Sequence, residues 1–154
     1  MFQRLSLILL LVIILFCHSA FGDNHVSNSD QNEISSLIKK WHQAYEKKDI
    51  NAVMDIEKDA IINFAKAHNL QVDQMQKGYK SSLEIMFDMK NFKMKPLVLK
   101  NLVFACSGEG VAVSRSTPPI LESTLREKED SASFKVNYVV FVKDSSGWRI
   151  KDFK

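Results

Sequence analysis

Phe134-Lys-Val-Asn-Tyr-Val-Val-Phe-Val-Lys143, Asp144-Ser-Ser-Gly147 and Trp148-Arg-Ile-Lys-Asp-Phe153 follow one another directly, and their reading decides the fold. The first piece is rich in β-branched and aromatic residues, the second is a short polar turn with Gly, and the third is a closing strand led by Trp. Together they predict a β-hairpin. Strict alternation puts Phe134, Val136, Tyr138, Val140 and Val142 on one face. Val139 and Phe141 make the other face apolar too, which predicts a central strand. The same alternation puts Trp148, Ile150 and Asp152 together, with Trp148 in the core.

Upstream of this hairpin the apolar period is helical. Ile34, Leu37, Ile38, Trp41, Ala44 and Tyr45 recur at spacings of three and four, which marks one buried stripe on a helix. Asp30 with Glu33 three residues on predicts its N-cap, and Lys47-Lys48 its end. Asp49 caps a second helix carrying Val53, Met54, Ala60, Ile61, Phe64 and Ala65, with Glu57 interrupting the stripe. Asn69 suits the left-handed position after its end. A third helix runs through Val72, Met75, Tyr79, Leu83, Met86 and Phe87. Gly78 costs it about 1 kcal/mol against Ala and marks a close helix contact or a bend.

From Phe92 the period becomes two. Met94 to Cys106 reads as a long strand with a β-bulge at Lys100-Asn101, and Pro96 places its start or an edge. Ser107-Gly-Glu-Gly110 is a turn and Val111 to Ser116 a strand, broken by Thr117-Pro-Pro119. Ile120 to Leu125 reads as a short strand or loop, and 126–133 as a charged surface turn. Helices first and antiparallel strands after give an α+β domain: three N-terminal helices packed on a curved antiparallel sheet of about four strands.

The N-terminus reads as an address rather than part of that domain. Arg4, the uncharged run Leu5 to Phe16 and Ala20-Phe-Gly22 form a secretory signal peptide over 1–22. Its apolar run is shorter than the roughly 20 residues that span a bilayer. An uncleaved anchor is the alternative; lipidation at Cys17 is disfavoured by bulky Phe16. Residues 23–30 read as a disordered leader and 31–154 as a single domain. Of the 154 residues 132 then remain, with a net charge of about +2. That is too mild for nucleic acid or anionic lipid. One cysteine is left, Cys106, which reads as a buried, inert thiol and excludes an internal disulfide. The expected compartment is the periplasm or the outside, with no stable membrane span after cleavage.

Two stretches resemble the NTF2-like superfamily, which includes SnoaL-like and ketosteroid-isomerase-like domains. Glu33 to Met54 is similar to the family's first helix, turn and second helix. Tyr138 to Phe153, with its polar-Gly turn and Trp-x-Ile, is similar to its closing hairpin. They cover about 38 of the 132 residues. The chain departs from the pattern in having no strand pair between helices two and three, and a simpler cystatin-like arrangement stays open. The resemblance implies a cone with a pocket between helices and concave sheet, homodimerisation through the outer sheet face, and in the family's enzymes an Asp or His acting there as general base.

Against that frame Asp55, Glu57, His68 and Asp152 are the acid–base candidates. His68 alternatively serves its helix end, Asp55 and Glu57 a solvated edge, and His42 a surface or boundary place. Trp41, Tyr45, Phe64, Tyr79, Phe87, Tyr138 and Trp148 are the aromatics that would line an apolar pocket, or else fill an ordinary core. No metal-binding spacing and no cofactor motif occurs, so no cofactor is expected. The leading expectation is a non-catalytic exported domain that binds a small apolar ligand or a partner protein. The alternatives are an isomerase, dehydratase or hydrolase using acid–base chemistry, and a structural dimer with a filled cone.

Overall fold

The structure, a computed structural model, describes residues 26–108, 110–124 and 134–154. The expected signal peptide, residues 23–25 of the expected leader, the expected turn at 126–133 and the Cys106 side chain lie outside the described residues. Among the described residues four helices come first: α1 (Asn28–Glu46), α2 (Ile50–Ile56), α3 (Lys58–Ala67) and α4 (Val72–Asp88). Seven short strands follow among the same residues: β1 (Lys93–Met94), β2 (Val103–Gly108), β3 (Val111–Arg115), β4 (Leu121–Thr124), β5 (Lys135–Val136), β6 (Tyr138–Asp144) and β7 (Gly147–Phe153). The α+β expectation holds. The strands pair antiparallel in two sheets, ordered β1-β4-β5 and β2-β3-β6-β7. Among the described residues no helix is long and apolar enough to cross a membrane.

α1 supplies the central stripe. Ile34, Ile38, Trp41 and Tyr45 are all fully buried, at the spacing the sequence predicts. Its start is earlier than expected. Ser27 is the N-cap and accepts from the Asp30 amide, while its hydroxyl donates to Asp30 Oδ2 at 2.7 Å. Ser27 and Asp30 thus form the capping pair one turn upstream of Asp30 and Glu33, because a Ser–x–x–Asp spacing fills the same geometry. Val26 is buried, so the expected disordered leader is corrected from residue 26 onward. Asp49 caps α2 as predicted, its side chain accepting from Ala52 N. Lys48 and Asn69 take the left-handed conformation after α1 and α3.

The expected second helix is two helices. Glu57 sits between them at φ −93° and ψ 1°, outside the helical well. Its amide still donates to Val53 O and its carbonyl accepts from Ile61 N, both at 2.9 Å, so the axis carries through. Gly78 is not a close contact: a Cβ there would meet nothing within 4 Å.

The expected long strand from Met94 to Cys106 is also corrected. β1 ends at Met94, Pro96 follows it, and a 3-10 turn at Leu99–Asn101 leads into β2 in the other sheet. What reads as a bulge is a crossover between sheets. Thr117-Pro-Pro119 interrupts the ladder between β3 and β4, and the stretch after it, left open between strand and loop, is β4.

The final strand changes sheets as well. β5 pairs with β4, Asn137 lies outside either ladder, and β6 pairs with β3 and β7. The amides of Asn137 and Tyr138 both donate to the Lys154 carbonyl, at 2.7 and 3.0 Å. This single break shifts the side-chain phase. Val136 is buried, but beyond Asn137 the buried residues are Val139 and Phe141, not Tyr138, Val140 and Val142. The predicted common face is therefore corrected, whereas the central position of β6 is as expected. Since Phe141 is fully buried and Val142 faces outward, Phe141→Ala should cost about 3–5 kcal/mol. Val142→Ala should cost about 1 kcal/mol or less. Urea unfolding measures both, and equal losses would mean the phase is wrong.

Candidate functional site

Burying a carboxyl group is costly unless donors replace its water. Glu57 is fully buried, and three side chains replace that water. From α1, Trp41 Nε1–H donates to Oε1 at 2.6 Å and Tyr45 Oη–H to the same oxygen at 2.8 Å. From α4, Tyr79 Oη–H donates to Oε2 at 2.5 Å. The two phenol oxygens lie 3.2 Å apart. Trp41 and Tyr45 are four residues apart and so share a helix face. Glu57 stands at the α2–α3 junction, and its carboxyl meets side chains of α1 and α4.

Among the described residues no Lys, Arg or His forms an ion pair with Glu57. Burial pushes its carboxyl above the ordinary carboxylate range, against the pull of hydrogen bonds from Tyr79, Trp41 and Tyr45. Burial likewise raises Tyr45 and Tyr79 above the ordinary phenol range, with the neighbouring Glu57 carboxyl adding to it.

Around this cluster the protein's own rings pack on one another. Tyr45 stacks on Phe134 at 5.1 Å and meets Phe87 edge-on at 5.8 Å. Trp41 meets Phe153 at 5.2 Å, and Phe87 meets Phe92 at 5.1 Å. Of the seven predicted pocket aromatics, Trp41, Tyr45, Tyr79 and Phe87 therefore converge. Phe64 does not: it is 47 % exposed and stacks on His68 at 4.1 Å. Tyr138 sits at the far side of the sheet under Arg115, 5.3 Å from its ring centre.

Trp148 is half-buried rather than in the core. Its Nε1–H donates to Asp30 Oδ1 at 2.9 Å, the oxygen that also receives Lys143 Nζ at 2.6 Å. That contact ties the first turn of α1 to the final hairpin. It holds the Asp30 carboxyl down at about 2, through Lys143 first, then Trp148 and Ser27. Beside it lies an open cleft of about 370 Å³ lined by Leu37, Lys40, Asp55, Asp59, Trp148 and Arg149. Its charges offset one another: Arg149 meets Asp59 at 3.3 Å and also pairs with Asp144.

The other acid–base candidates stay outside. Asp55 is exposed in that cleft. His68 caps the end of α3, with Nδ1–H donating to Phe64 O at 2.9 Å. Asp152 is exposed because a bulge opposite Val140 and Phe141 inserts Lys151. The bulge takes Asp152 off the face of Ile150 and brings Phe153 to the core. His42 is buried, not at the surface, with Nε2 2.8 Å from Lys95 O. Among the described residues no cluster of His, Cys, Asp or Glu could hold a metal ion. The Asp30 tie had no sequence signal, since its partners lie more than a hundred residues away.

No protein-family model matches the sequence, and no curated protein sequence matches it. Two solved structures are similar in fold. One is an NTF2-like protein of unknown function from Pseudomonas putida KT2440, 16% identical, with a TM-score of 0.55 over 84% of this chain and 87% of that one. The other is a candidate aromatic ring hydroxylase from Novosphingobium aromaticivorans, also 16% identical at TM-score 0.55, over 84% of this chain and 89% of that one. At this identity the likeness shows the fold, and the fold is NTF2-like.

Two measurements check the tie at Asp30. A carboxyl held below its ordinary 3.8 contributes stability above that pH and loses it as pH falls through about 2. Asp30→Asn should therefore flatten the loss of stability between about pH 4 and pH 2, followed by circular dichroism. Trp148→Ala should cost about 1–3 kcal/mol in urea unfolding, for one hydrogen bond and a half-buried ring.

Proposed function

We propose that the protein is an exported, non-catalytic NTF2-like domain that works by binding a protein partner, a second copy of itself first, through the outer face of its four-stranded sheet. The observation that carries this reading is the chemistry of that face. The register sets Val113 between Ala105 and Val140, Val111 beside Val142, and Arg115 between Val103 and Tyr138. Val103 is 67 % exposed, and Val111, Val113, Tyr138, Val140 and Val142 are each only partly covered. Among the described residues this apolar sheet face is only partly covered, the kind of surface that partners cover. The opposite face supplies buried residues of the protein's own core, Ala112, Val139, Phe141 and Ile150 among them.

One observation favours acid–base chemistry as a second reading. Glu57 is an inward carboxyl within hydrogen-bond reach of two phenols, and Tyr79 is only half-buried. For the first reading, light scattering on the purified chain should give a dimer. Val113→Lys and Val140→Lys should give a folded monomer. A wild-type monomer that retains no partner from its own envelope preparation would overturn the proposal. Native mass spectrometry of that preparation showing a bound apolar small molecule, lost in Tyr79→Phe, would favour the second.

A further inference from the structure

Four polar contacts close around Glu57, and their protons can be counted. The Trp41 indole nitrogen only donates, and each phenol has a single proton. With Glu57 ionised, three protons serve four contacts. Trp41 and Tyr45 donate to Oε1 and Tyr79 to Oε2, which leaves the phenol oxygens facing each other at 3.2 Å through lone pairs alone. With Glu57 protonated there is a fourth proton. Oε2–H donates to Tyr79 Oη across 2.5 Å, Tyr79 donates to Tyr45 across 3.2 Å, and Tyr45 donates to Oε1 across 2.8 Å. Trp41 donates to Oε1 as before. Every contact then holds one proton and the ring closes. A carboxylic acid is also a stronger donor than a phenol, which suits the shortest of the four distances.

We propose that Glu57 is the neutral acid in the folded protein at neutral pH, and that the closed ring Glu57–Tyr79–Tyr45 is a proton-dependent latch holding the α2–α3 junction against α1 and α4. Ionisation of Glu57 in alkaline solution leaves one contact without a proton and a bare charge in the core. Among the described residues the titratable groups that face it are Tyr45 from α1 and Tyr79 from α4. Both phenols are themselves held above their ordinary range, so the carboxyl is the member that ionises first. No cation on any packed element forms an ion pair with it among the described residues. Since a neutral acid outlasts the ordinary 4.5 in the fold but not in the unfolded chain, the stability it contributes is full below that pH. It falls as pH rises, until the folded group ionises.

Infrared spectroscopy of the wild-type protein tests the protonation state without any variant. The carbonyl stretch of a protonated carboxylic acid, shifted by deuterium exchange, should persist at pH 7 and vanish in alkaline solution. Its absence at pH 7 would overturn the proposal. In urea unfolding, Glu57→Gln replaces the acid by a neutral group that can still donate. The folding constant of the wild type relative to this variant should fall about tenfold per pH unit above roughly pH 5. A ratio that is flat or rises with pH would also overturn it.

Discussion

A carboxyl group buried without a paired cation must be met by hydrogen-bond partners, and these reach it only from fixed places. Glu57 imposes this on the helical layer. Its three hydrogen-bond partners come from two helices, α1 and α4, and it stands at the break between two more. Removing any one partner leaves part of a buried carboxyl unsatisfied, which costs more than the hydrogen bond itself contributes. The helices are thus held by direction as well as by apolar contact. An apolar residue of similar size would pack there but would not specify which faces of α1 and α4 meet.

The sheet layer is governed by a different constraint, the two-residue period of a strand. A single residue outside the ladder inverts which side chains point inward. Asn137 does this between β5 and β6, and the extra residue in β7 does it again before Phe153. The two breaks have complementary effects. One sends Val140 and Val142 outward and builds the apolar outer face; the other sends Asp152 outward and brings Phe153 against Trp41.

Much of the architecture is legible in the residues, and where it is not the reason is physical. The α1 stripe, the Asp49 cap, Asn69 and the central place of β6 follow from local periodicity and propensity, which neighbours reinforce. Glu57 is also legible, as the charged residue interrupting an apolar stripe. Its protection was not, because Tyr79 lies 22 residues away on another helix. The long strand from Met94 misled because apolar content alone cannot distinguish one strand from two in different sheets. The side-chain phase beyond Asn137 misled because alternation carries no mark of where it slips. For the acid–base candidates, exposure was decided by packing that no spacing encodes.

The contact between Asp30 and Trp148 joins residues 118 apart in the chain. Closing so large a loop has an entropic cost that is offset only after the intervening helices and strands have packed. The tie therefore belongs to the end of folding rather than its nucleus.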